Sequence, residues 1–175
     1  MRRETDYNLC DSLTGDSLAR SAARPNGNKP IYVLNGPNLN LLGEREPEVY
    51  GRTTLAEIGR QVSGRAETAG FLVEMRQTNS EAELIEWLQE ARKQASAVIL
   101  NAAGLSHTSV ALLDAARALE LPLIEVHLSN PYAREEYRHH SFISEAATGI
   151  ICGLGAEGYF YAIEYLAQRL KSRSR

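Results

Sequence analysis

"AVILNAAGLSHTSVALLDAARALELPLIEVH", residues 97–127, holds a fold in miniature. Ala97, Val98, Ile99 and Leu100 form a continuous apolar run, the pattern of a strand buried on both faces of a parallel sheet. A polar stretch containing Asn101, His107 and Ser109 interrupts it. Val110, Leu113, Ala116 and Leu119 then recur at helical spacing, and "LIEVH", 123–127, returns to strand character. A strand, a helix and a second strand in that order imply a right-handed crossover between parallel neighbours.

The same alternation extends to both sides. "IYVLN", 31–35, reads as a strand, and Thr54 with Glu57 makes a capping box before Leu55, Ile58, Val62 and Ala66, a helix that Gly70 stops. "FLVEM", 71–75, alternates as a second strand. Ser80 with Glu83 predicts another capping box, opening a helix with Leu84, Ile85, Leu88 and Ala91 on one side. Beyond residue 127 come a polar, turn-rich stretch, the strand "GIIC", 149–152, and a closing helix from about Glu157 to Lys171. The expectation is one α/β domain over residues 30–172, built on a doubly wound, five-stranded parallel sheet. In such sheets ligands bind outside the carboxyl ends of the strands, where the strand order reverses. "NGPN", "NAAGLSHTS" and "HLSN" leave three strands at that edge and are expected to converge on one crevice.

A length of 175 residues suits a single domain, and one of this size buries about two thirds of its unfolded surface. With 43% hydrophobic residues, 23% charged residues and a net charge of -3, nothing suggests the basic face of a nucleic-acid binder. No apolar run approaches the roughly 20 residues of a membrane span, and Arg2-Arg3 lacks the apolar stretch of an export signal. Cys10 and Cys152, far apart, read as free thiols in a reducing cytoplasm. Residues 1–29 show no period and end in Pro25, Asn26, Gly27 and Asn28 ahead of Lys29, so a disordered polar tail is expected. Its acids Glu4, Asp6, Asp11 and Asp16 weigh against an organellar transit peptide.

"LNGPNLNLLGEREPEVYG", 34–51, is long for a plain connection and reads as a lid carrying Arg45 and Tyr50, with Gly43 and Gly51 as hinges. A tyrosine, with an ordinary pKa of about 10, is a poor base at neutral pH. A guanidinium roughly 4 Å away favours the phenolate by about 4 kcal/mol, or about three pKa units. Burial opposes that shift, so a second cation is wanted, from Arg138 or Arg52. His107 and His127 both fall just past strands and are candidate general acids or bases, with Glu125, on the same side of its strand as His127, to orient it. A metal site is disfavoured: there is no HExxH and no CxxC, and adjacent His139 and His140 are poorly spaced for one ion. "GLGAEG", 153–158, matches a dinucleotide fingerprint but lies in the last strand-helix unit, so its glycines read as close helix-to-strand packing and a wall of the crevice. Ser109, His107 and Asp114 name the members of a hydrolase triad, yet no GxSxG elbow is present, and Ser109 and Asp114 suit the cap and first turns of a helix.

Four stretches in order, "LNGPNLNLLGEREPEVYG", "LNAAGLSHTSVALLDA", "EVHLSNPYAREEYRHHSFIS" and "GIICGLGAEGY", together resemble the type II 3-dehydroquinate dehydratases, over about Ile31 to Leu170. The resemblance implies a flavodoxin-like fold and a shikimate-pathway or quinate-breakdown lyase. The reaction it implies is anti elimination of water from 3-dehydroquinate through an enolate, giving 3-dehydroshikimate with no metal or cofactor. By the same resemblance Tyr50 is the base, Arg45 activates it, and Asn38 holds the enolate oxygen through a water. His127 then protonates the departing hydroxyl, with Glu125 as its partner. Substrate contacts fall to Asn101, His107, Arg138, and the backbone amides of Leu128 and Ser129. Asp114 is expected to reach a neighbouring subunit's site in a homododecamer assembled from trimers.

Those roles meet the chemistry: removing a proton alpha to a ketone needs a base and an oxyanion stabiliser, and a departing hydroxide needs an acid. The alternative Schiff-base route needs a lysine at a strand's carboxyl end, and Lys29, Lys93 and Lys171 are all elsewhere. Relatives commonly carry proline or glycine at Ala102 and Ala103, Val-His at Pro131-Tyr132, and an arginine at Leu113, which is expected to alter a subunit contact. Two other classes remain open from sequence, a ligand-sensing module using the same crevice and a nucleotide-dependent oxidoreductase resting on "GLGAEG" alone.

Overall fold

The computed structural model describes residues 29–44 and 52–173. β1 (Ile31–Asn35) is buried along its whole length, as its unbroken apolar run requires. It pairs in parallel with β2 (Val73–Gln77) on one side and β3 (Ala97–Asn101) on the other. β4 (Leu123–His127) and β5 (Gly149–Cys152) complete a five-stranded parallel sheet in the order β2-β1-β3-β4-β5. The doubly wound expectation holds, and the order is the flavodoxin type, with its reversal between β1 and β3.

Alternation within the strands assigns helices to faces. Ile31, Val33, Ile99, Ile124 and Val126 point to one side, where α1 (Leu55–Thr68) and α4 (Glu157–Arg173) supply Ile58, Val62, Phe160 and Ile163. Tyr32, Leu34, Val98 and Leu100 point to the other, under Leu84 and Leu88 of α2 (Glu81–Gln94) and Leu112 and Ala116 of α3 (Val110–Arg117). The two cores seal both faces and leave the carboxyl edge to the loops.

Local signals held at α1 and changed at two other places. Thr54 and Glu57 form the full reciprocal capping box, and Gly70, at φ 84°, ends the helix as expected. Ser80 caps α2 by accepting from the Glu83 N–H at 3.3 Å, but Glu83 does not reach back. Its carboxylate accepts from the Thr78 hydroxyl, which itself accepts the Ser80 N–H at 2.9 Å. The second strand begins two residues later than "FLVEM", because the Phe71 N–H closes the end of α1 on the Ala66 carbonyl at 2.9 Å. One single residue also differs: Val110, expected on the buried side of its helix, is 53% exposed. Leu113, where an altered subunit contact is expected, is 4% exposed within its own chain.

Residues 1–28 of the expected tail, with Cys10, lie outside the described residues, and so do Arg45, Tyr50 and Gly51. Cys152 is a free thiol.

Candidate active site

At the carboxyl edge a cleft of about 210 Å³ opens at the ends of β1, β3 and β4. Gly36 brings its first two walls together. Its N–H donates to the Asn101 carbonyl at 2.8 Å, and a Cβ there would stand 2.6 Å from the Ala102 carbonyl oxygen. The backbone then turns through Asn38, whose φ of 67° is left-handed, and the Asn38 N–H donates to Asn79 Oδ1 at 2.9 Å. Asn38 lines the cleft from the β1 loop, His107 and Asn101 from the β3 side, and Leu128 and Ser129 from the β4 loop.

His127 ends β4 and faces the same space. Its Nε2–H donates to Glu125 Oε1 at 2.8 Å, leaving Nδ1 without a protein partner among the described residues. Two residues apart on one strand, the pair shares a face. Glu125 is fully buried, and Oε1 also accepts from Ser141 Oγ at 2.6 Å while Oε2 accepts from Ser144 Oγ at 2.7 Å. Burial pushes its carboxyl up, but the His127 bond and the serine hydroxyls outweigh burial and hold it below the ordinary carboxylate value.

His107 stacks against His127, ring centroids 6.1 Å apart and planes 17° from parallel. Its Nδ1–H donates to the His140 carbonyl at 2.7 Å, which presents Nε2 as an acceptor. Burial is the largest influence and lowers its pKa; the His140 bond and Glu125 raise it, His127 and Arg138 lower it further, and the net is below the ordinary value. One imidazole is thus held by a carbonyl and the other by a carboxylate. The arrangement suits a neutral hydrogen-bond acceptor beside a proton donor.

Arg138 lines the cleft from the segment after β4, its Nε donating to Glu135 at 2.8 Å. Arg134 lines it as well, with Nε 3.6 Å from the same carboxylate. Sequence reasoning passed over Arg134, although its spacing of four from Arg138 in one turn-rich segment was a usable signal. Arg52, the other candidate second cation, borders a separate surface depression with Thr53, Glu57 and Arg60. Asp114 is exposed on α3 and does not line the cleft.

Beneath the floor, Tyr159 of α4 is fully buried and donates to Asn35 Oδ1 at 2.6 Å. It accepts from Asn101 Nδ2 at 2.9 Å, and Asn101 Oδ1 accepts the Ala103 N–H at 3.3 Å. Asn101 therefore borders the cleft with one Nδ2 hydrogen and Oδ1 engaged in this network and its second Nδ2 hydrogen left over. "GLGAEG" is also in a supporting position. Gly153 and Gly155 donate N–H groups to the carbonyls of His127 and Leu128 at 3.2 and 2.9 Å. A Cβ on Gly158 would meet strand residues Ile151 and Val126 at 3.4 Å, whereas one on Gly155 would meet nothing within 4 Å, so the helix-to-strand packing expectation applies to Gly158 alone. The expectation of a cleft wall does not hold, since none of the three glycines lines it.

The profile of the family described as Dehydroquinase class II matches residues 29–167. The chain belongs to the class II dehydroquinase family. The 3-dehydroquinate dehydratase 2 of Pseudomonas aeruginosa is 52% identical over 144 residues, covering 82% of this chain and 97% of that protein. The 3-dehydroquinate dehydratase of Caulobacter vibrioides is 57% identical over 136 residues, covering 78% and 93%. Among solved structures, the type II dehydroquinase from Propionibacterium acnes superposes with a TM-score of 0.78 at 45% identity, covering 81% of this chain and 97% of that one. The class II dehydroquinase fold therefore accounts for the sheet order and for a cleft at its switch point.

Proposed function

We propose that this class II dehydroquinase dehydrates 3-dehydroquinate to 3-dehydroshikimate by anti elimination through an enolate. Tyr50, activated by Arg45, removes the proton alpha to the ketone, and Asn38 holds the enolate oxygen through a water. His127, oriented by Glu125, delivers a proton to the departing hydroxyl. Asn101, His107, Arg138 and the amides of Leu128 and Ser129 bind the substrate's hydroxyls and carboxylate. The carrying observation is the His127–Glu125 pair in a cleft shared with Asn38 and Arg138, because it joins a proton donor to groups suited to a polyhydroxylated anion. The loop that lines the cleft with Asn38 reaches Glu44 within the described residues, one position before Arg45.

The same proposal makes residues 1–29 a dispensable tail on a domain of residues 30–172, and makes the protein a cytoplasmic homododecamer built from trimers, binding neither nucleic acid nor membrane. Asp114, exposed and outside its own cleft, is available to a neighbouring subunit. Among the described residues no helix is long and apolar enough to cross a membrane. Adding 3-dehydroquinate to purified, metal-stripped protein tests the reaction. Prompt ultraviolet absorbance from the conjugated enone is expected, and folded protein that leaves the substrate unchanged overturns the proposal. Light scattering tests the assembly, which a monomeric mass would refute.

A further inference from the structure

A buried carboxylate is strongly unfavourable unless hydrogen-bonded. Glu125 meets that demand with three donors, none from a lysine or an arginine: His127 Nε2, Ser141 Oγ and Ser144 Oγ. The two hydroxyls come from the segment that follows Arg138, and neither serine lines the cleft. Other groups near the pair are His107, stacked on His127, and Arg138 beyond it. On the flanking strands, β3 presents apolar Leu100 and β5 presents Ile150 at the register of Glu125, with Cys152 opposite His127. Among the described residues no lysine or arginine therefore holds Glu125 ionised, and two of its three donors are hydroxyls whose protons do not take part in the transfer.

We propose that Ser141 and Ser144 are positioning residues for the dehydration: their hydroxyls hold Glu125 as a carboxylate, which keeps the His127 Nε2–H engaged and reserves Nδ1 for the substrate. This rests on reading His127 as the acid. In that step the imidazolium's Nδ1 proton passes to the departing hydroxyl while the enolate's electrons form the new C=C bond, the C–O pair leaves with the oxygen as water, and the ring becomes neutral with Nε2–H still on Glu125. Without the serines Glu125 takes up a proton, its oxygen no longer accepts reliably from Nε2–H, and the Nδ1 proton loses its counter-charge. Both serines are only partly buried, which lets alanine and threonine be accommodated.

The test compares S141A/S144A with single Ser141→Thr and Ser144→Thr variants, which keep the hydroxyl. Two readouts apply: nitrogen NMR of the His127 ring in substrate-free protein, and the pH profiles of kcat and KM. In the double alanine variant the ring is expected to lose its Nε2–H preference. Its kcat should fall about tenfold or more, its acid limb should move up by about one pH unit, and KM should stay within about twofold. The threonine variants should keep the parent profile. An unchanged Nε2–H signal overturns the inference whether or not the protein turns over 3-dehydroquinate, which separates it from failure of the reaction assignment. A raised KM with unaltered kcat also overturns it, since the serines would then only brace Arg134 and Arg138. Should the double variant not fold, Ser144→Ala alone carries the same two readouts.

Discussion

His107 and His127 lie ring against ring, and their different partners give them different chemistry. A carbonyl holds His107 as a neutral acceptor, and its pKa is below the ordinary value of 6.5 because of burial first and neighbouring positive charge second. The unfolded chain therefore binds a proton that the folded one refuses. The His107 contribution to stability is complete above pH 6.5 and is lost as pH falls from there through its folded pKa. In denaturant titrations His107→Asn, which keeps a side-chain N–H for the His140 carbonyl, should flatten that loss; an unaltered slope below pH 6.5 would remove His107 as its source. At the proposed base, Tyr50→Phe should lower kcat by about a hundredfold or more while substrate still binds, as calorimetry would show. A Tyr50→Phe enzyme within a few-fold of the parent refutes the assignment. Glu125 and His127 were legible because two-residue spacing on a strand fixes a common face. Ser141, Ser144 and the His140 carbonyl were not, because they reach the site through an irregular segment whose path no period encodes.

Among the elements, the loops after β1 and β3 depend on each other at Gly36. A methyl group there would press on the Ala102 carbonyl oxygen at 2.6 Å, which is backbone and cannot rotate aside. Gly36→Ala should cost about 1–3 kcal/mol, measurable by urea unfolding, and should lower kcat/KM by moving Asn38 against His107. A variant of parental stability and activity would show that the two loops yield freely. Capping and turn chemistry predicted both ends of α1 and the starts of α2 and α3 from sequence. The exceptions have local causes: Thr78 competes for Glu83, and the close of α1 takes Phe71 from the next strand. A two-residue slip preserves strand alternation, so periodicity alone was blind to it. Strand order was equally invisible to periodicity and came with the family resemblance.

Over the whole molecule, the sheet divides the interior into two cores, and the cleft rests on both. Ile58, fully buried between α1 and the sheet, is remote from the chemistry; Ile58→Ala should cost about 2–5 kcal/mol in denaturant unfolding and leave kcat of the folded fraction intact. A kcat loss with little change in stability would instead tie that core to the site. Removing residues 1–28 should leave turnover and melting temperature as they were, and a large fall in rate would give those residues a part in the site. One further consequence follows from Tyr159, the hydroxyl shared by Asn35 and Asn101. On the ribosome it is the last of the three to be synthesised. A nascent chain that already contains all five strands still lacks the group that ties the first and third together beneath the floor. Maturation of the catalytic edge therefore waits for α4, and an aborted translation product ending before it would be a sheet without a finished site.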